Sequence, residues 1–272
     1  MGRYKPAAKR RVEASNKSAY YKIGAVATVV SALGFVYFQA AKDRRTLDKV
    51  TLCPADPISL TVLLVDVTDP LNLPQRQDFI NQLERLRNSI PRYGKLSIVK
   101  VDATSSKLLT PVIERCNPGT AGDVTEYTGN PEALRKQWEQ DFKAPLDSAF
   151  QLLSVASGSE RSPILESIQS VALTEFQTPQ AEGKPRKLIV ASDLLQNTDR
   201  LSFYGRLPTA DEVLASDAFR AARTDLRGID VELWMLQRTD SSSSQPRALP
   251  DLWDAMITEE GGNLTREYTV SG

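Results

Sequence analysis

Residues 59–67 read SLTVLLVDV. The run is aliphatic and β-branched, shows no alternation, and stops at an acid. A strand covered on both faces reads this way, because no side chain on it has a solvent face to populate with polar groups. Further strands read outward from it, at 96–101, at 187–193 (KLIVASD) and at 229–236 (IDVELWML), with a short one at 264–270. Residues 108–115 read as a return beside the second strand, and Pro111 assigns that return to an edge, since proline cannot donate to a ladder.

Helical patterns separate the strands. Residues 74–88 place Phe79, Ile80, Leu83 and Leu86 on one face. Asn130-Pro131 is a cap followed by proline at the first helical position, and Leu134 and Trp138 continue that helix. A second helix carries Leu146, Ala149, Phe150 and Leu153. Ser162-Pro163 opens another, with Ile164, Ile168, Val171 and Ala172 facing inward. Thr209 with Glu212 forms a capping box for a helix predicted to end near Gly228, and a last helix surrounds residues 252–256. Strands alternating with helices predict an α/β fold, a doubly wound and mainly parallel sheet, as one domain over 55–272.

The rest of the chain differs in kind. Lysine plus arginine and aspartate plus glutamate both number 34, so the formal charge is zero, but residues 1–49 carry +8 and residues 50–272 carry −8. Residues 23–41 (IGAVATVVSALGFVYFQAA) contain no charge. As a helix, 19 residues span about 28 Å, close to the hydrocarbon core of a bilayer. Tyr20 and Tyr21 precede the run and Tyr37 and Phe38 lie near its end, where aromatic belts sit. A buried core helix would need a polar face. A cleaved signal peptide would need a shorter apolar region and small residues at the cleavage site, where Phe38 and Gln39 stand. The reading is a basic cytoplasmic tail (1–22), a transmembrane helix (23–41) and a juxtamembrane linker (42–54). The excess of Lys and Arg before the span orients the N-terminus to the cytoplasm and the large domain outside it, against a smaller basic group after the span. This predicts a single-pass protein of a bacterial inner membrane with a periplasmic domain.

That compartment bears on Cys53 and Cys116. An even pair in an oxidising space reads as a disulfide, and the same pair in the cytoplasm as two thiols. The chain has no histidine, which excludes a Ser-His-Asp triad, an HExxH zinc site and an imidazole base. Neither GxGxxG nor GxxxxGK[ST] occurs, and the acidic body argues against nucleic-acid binding.

In a doubly wound sheet, ligands bind beyond the carboxyl ends of the strands. Asp66-Val67-Thr68-Asp69 ends the first strand, Asp193 ends KLIVASD, and Ser162 opens the helix before that strand. Two carboxylates and two hydroxyls are hard oxygen ligands of the kind Mg²⁺ or Mn²⁺ prefers.

This set resembles the metal-ion-dependent adhesion site of von Willebrand factor type A domains, with its D-x-S-x-S loop, a later threonine and an aspartate after the fourth strand. By that resemblance Asp66 and Asp193 match the aspartates, Thr68 the first serine and Ser162 the threonine. Pro70 stands where the second serine is expected and cannot ligate, with Asp69 beside it, so the resemblance is to a degenerate site and leaves open a domain that keeps the fold without metal. The resemblance covers most of residues 58–270 and implies protein binding without turnover, a partner's carboxylate completing the metal's coordination. The loop 201–208, with Phe203 and Tyr204, is the expected partner-contact loop. The function so implied is a scaffold or binding subunit of a larger envelope assembly. The rival is a haloacid-dehalogenase-like phosphohydrolase with Asp66 as nucleophile, which needs no histidine. Ser162 and the stretch 192–199 fit that family's later motifs only loosely.

Overall fold

The computed structural model describes residues 7–42, 45–66, 71–101, 108–125, 129–153, 161–238 and 245–270. The chain divides into two units, Met1–Thr46 and Leu47–Gly272.

The first unit is one helix, α1 (Ala7–Lys42). It contains the one stretch among the described residues that is long and apolar enough to cross a membrane, Tyr20–Phe38. Its large apolar side chains are 55–80% exposed, from Val36 to Tyr21. Water does not tolerate such a surface on a soluble helix, so these side chains require another apolar medium.

The second unit is a mixed α/β fold around a six-stranded sheet in the order β3-β2-β1-β4-β5-β6. The strands are β1 (Leu60–Val65), β2 (Lys95–Lys100), β3 (Ile113–Cys116), β4 (Arg186–Ser192), β5 (Ile229–Leu236) and β6 (Asn263–Val270). All neighbours are parallel except β2 and β3, which are antiparallel. The helices around the sheet are α2 (Leu73–Ser89), α3 (Pro131–Gln137), α4 (Ala144–Leu153), α5 (Ile164–Val171), α6 (Ala210–Leu214), α7 (Asp217–Ala222) and α8 (Leu249–Glu259).

Strand β1 explains the core. Every residue in it is buried, and successive side chains serve opposite layers. Val62 and Leu64 pack with Leu188, Val190, Ile168 and Trp253, whereas Leu63 and Val65 pack with Ile98, Phe79, Leu146 and Trp234. Each such side chain contributes about 1.5–3 kcal/mol by leaving water. Helix α2 closes the second layer with Phe79, Leu83 and Leu86. Its start is set by Asn72 and Gln75, whose side chains each accept a hydrogen bond from the other's backbone N–H.

Two helices differ from their predicted form. Residues 131–153 run as one helical stretch from α3 to α4 through a π turn at Trp138–Lys143. Pro145 lies just beyond it; having no N–H and a ring that crowds the preceding turn, it disturbs the regular ladder there. The helix predicted from Thr209 to Gly228 is two, because Ser216 interrupts it. The Ser216 side chain accepts from the Phe219 N–H at 3.1 Å and caps α7. The Thr209/Glu212 capping box is present at the start of α6.

Cys53 and Cys116 form a disulfide that closes a sequence separation of 63 residues. It ties the segment before β1 to the end of β3, where the Cys116 N–H also donates to the Thr51 carbonyl at 2.8 Å.

Candidate functional site

The strand order reverses between β1 and β4. The chain builds outward from β1 to β2 and β3, then returns to the other side of β1. In doubly wound sheets a reversal of this kind marks the carboxyl ends of the two strands as the usual place for a ligand. Asp66 follows β1, and its N–H continues the ladder by donating to the Ala191 carbonyl of β4 at 2.8 Å. Asp193 follows β4. Both carboxylates are 5% exposed.

Ser162 comes from a different element. Its N–H donates to the Asn197 carbonyl at 3.0 Å and its carbonyl accepts from the Asn197 N–H at 2.9 Å. This clasp with the loop after β4 fixes the serine just before α5, and its hydroxyl donates to Asp66 Oδ2. The structure thus brings Asp66 and Ser162 into direct contact, with Asp193 on the neighbouring strand end. Thr68, Asp69 and Pro70 lie outside the described residues.

Asp193 Oδ1 accepts from the Leu195 N–H at 3.0 Å, and the Gln245 side chain donates to the Asp193 carbonyl at 2.8 Å. The intervening Leu194 has φ 63°, and its carbonyl accepts from the Trp253 indole at 2.9 Å. A leucine in the left-handed region costs free energy that the packed surroundings must offset. Here its side chain is fully buried.

Sequence reading overlooks the cation of this site. Arg238, two residues past β5, brings Nη1 to 3.7 Å from Asp193 Oδ2. The same nitrogen donates to the Tyr204 hydroxyl at 2.8 Å, and the guanidinium lies 5.3 Å from the Tyr204 ring centre. The arginine and aspartate side chains are 12% and 6% exposed. At such a distance the gross attraction is about 4 kcal/mol for an effective dielectric near 20, before desolvation is subtracted. Three buried or half-buried glutamines, also overlooked, hold the surrounding loops. Gln196 accepts from the Leu165 N–H and donates to Glu166, Gln245 accepts from the Arg238 N–H, and Gln75 donates to the Gln237 carbonyl. The rule that located Asp66 and Asp193, a polar residue just past a buried strand, would have found Arg238 after IDVELWML.

Phe203 corrects an expectation. It is 1% exposed and meets Trp253 edge-on at 6.1 Å, so it is a core side chain and cannot contact a partner. Its neighbour Tyr204 is 36% exposed and stays on the surface.

A divalent ion of the implied kind needs about six oxygen ligands. Among the described residues no group of three or more aspartates, glutamates or cysteines could hold one. Asp66 is already the acceptor of Ser162, and Asp193 already faces a guanidinium. The described residues therefore do not fit a resident divalent cation while Arg238 stands where it does.

Fold and site together define a doubly wound α/β domain with a buried acid–hydroxyl–arginine cluster at its switch point. No protein-family model and no curated protein matches the chain. Among solved structures, a conserved hypothetical protein BatB from Bacteroides thetaiotaomicron is similar at 14% identity and a TM-score of 0.40, over 79% of this chain and 91% of that one. An aerotolerance-related membrane protein from Bacteroides fragilis is similar at 13% identity and 0.37, over 79% and 92%.

Proposed function

We propose that the chain is a membrane-anchored binding subunit of a larger envelope assembly. Its type A-like domain would capture a protein partner at the carboxyl end of the sheet. The observation that carries this reading is the convergence of Asp66, Ser162, Asp193 and Arg238 at the β1/β4 switch point, each from a different segment of the chain. The exposed apolar surface of Tyr20–Phe38 supports the anchor. The basic excess before that span supports a cytoplasmic N-terminus. The Cys53–Cys116 disulfide supports a domain on the oxidising side of the membrane.

The test uses the full chain in its native membrane. A reporter fused after Gly272 should be active only outside the cytoplasm, and alkaline extraction should leave the chain in the membrane fraction. Asp66→Ala with Asp193→Ala should abolish co-purification of whatever partner the wild type holds. A cytoplasmic reporter would overturn the topology, and undiminished co-purification would overturn the site. Phosphate release from a generic monoester, lost in Asp66→Asn, would replace binding by hydrolysis.

A further inference from the structure

We infer that Arg238 serves as the resident cation of this site, in the place a type A-like domain would give to a divalent metal, so that the site is independent of metal ions. The inference rests on the type A-like reading of the cluster. Asp66 and Asp193 are both held out of water at adjacent strand ends, and two uncompensated carboxylates there would be costly. Ser162 supplies a hydroxyl donor to Asp66, and Arg238 supplies the positive charge beside Asp193.

The arginine is built into its place. Strand β5 pairs with β4 in register through Ser192↔Met235, so the residues leaving β5 emerge beside those leaving β4. The Arg238 N–H donates to Gln245 Oε1 at 3.0 Å, and the Gln245 amide donates to the Asp193 carbonyl and to the Leu236 carbonyl. One glutamine thus fixes the backbone of both members of the ion pair. Tyr204 also holds the guanidinium, through its hydroxyl, which accepts from the same Nη1, and through its ring. An always-charged group with a rigid fork suits this position, and a divalent ion brought beside it would meet direct repulsion.

Mn²⁺ binding to the full chain in detergent micelles tests this, read as loss of the free-ion paramagnetic resonance signal. The wild type should take up no stoichiometric Mn²⁺ at about 1 mM, an affinity that weak extracellular cation sites already reach. Arg238→Gln should bind about one equivalent, at least about tenfold more tightly than wild type, and adding Asp193→Asn should remove that uptake. Should Arg238→Gln fail to fold, Arg238→Lys, which keeps the charge, should bind no more Mn²⁺ than wild type. Uptake by the wild type that disappears in Asp193→Asn would overturn the inference, as would Arg238→Gln binding no better than wild type or Arg238→Lys binding more. Co-purification of a partner is read separately and should survive chelation. If Mn²⁺ uptake by the wild type accompanies intact capture, the arginine assignment falls and the binding reading stands. If capture is lost while the Mn²⁺ results are as expected, the binding reading falls and the arginine assignment stands.

Discussion

The two ends of the sheet handle charge in opposite ways. At the amino end, Lys95 on β2 pairs with Glu175 at 2.8 Å and Glu114 at 3.2 Å, while Ser97 donates to the buried Glu175. Burial works to lower the Lys95 ammonium's pKa, but the hydrogen bond and charge of Glu175, then Glu114, hold it above the usual lysine value. The disulfide staples the same end through Cys116, which sits opposite Lys95. At the carboxyl end the charges gather instead where the chain leaves β1, β4 and β5, with Ser162 just before α5 beside them. Amino-end groups should therefore govern stability alone, and carboxyl-end groups should govern binding at smaller cost to the fold.

The largest expected effect is at the amino end. Cys53→Ser with Cys116→Ser frees a 63-residue separation and should cost about 2–4 kcal/mol, read as a lower urea midpoint, with partner capture retained below the new transition. Capture lost while the domain remains folded would break the division between the ends.

Glu260 gives a pH signature at that same end, where it accepts from the Thr224 N–H at 3.0 Å. Burial pushes its carboxyl up to about 7 from the ordinary 4.5, against that hydrogen bond and the charge of Arg223. Between those values the folded chain keeps a proton that the unfolded chain has released. Stability from this group is thus full below about 4.5 and is lost as pH rises through about 7, a change on the order of 3 kcal/mol. Glu260→Gln should remove that loss, so urea midpoints of variant and wild type should diverge between pH 5 and 8. Parallel curves would refute the assignment.

Smaller effects probe the carboxyl end. Ser162→Ala removes a hydroxyl donor to the buried Asp66 and should cost about 1–3 kcal/mol, with capture falling more than stability explains. Thr209→Ala removes the α6 cap, which lies on the connection between β4 and β5 but outside the cluster. It should cost about 1 kcal/mol in thermal stability and leave capture unchanged. If the two variants weaken capture equally, the cluster has no special part in binding.

Much of this was legible in sequence for a physical reason. Burial on both faces writes β1 as an unbroken apolar run and gives β4 and β5 long apolar stretches, and the acids that follow β1 and β4 marked the carboxyl end of the sheet. Arg238 stands where the same rule points, just past β5, but its pairing with Asp193 and Tyr204 was not legible, because only the pairing of β5 with β4 brings the arginine within reach of Asp193. Phe203 misled because a loop beyond a strand end is not all surface; whether an aromatic there turns inward depends on Trp253 beneath it. The break at Ser216 is a local contest between helix continuation and a side-chain cap, which hydrophobic periodicity does not register.

The central claim, that the carboxyl end is the binding face, is tested most directly by photo-crosslinking in native membranes. A photoreactive residue replacing the exposed Tyr204 is compared with one replacing the exposed Glu182, which precedes β4 at the amino end. The account predicts a discrete adduct of constant mass from position 204 and none from position 182. Adducts from 182 alone, or equally from both, would contradict it.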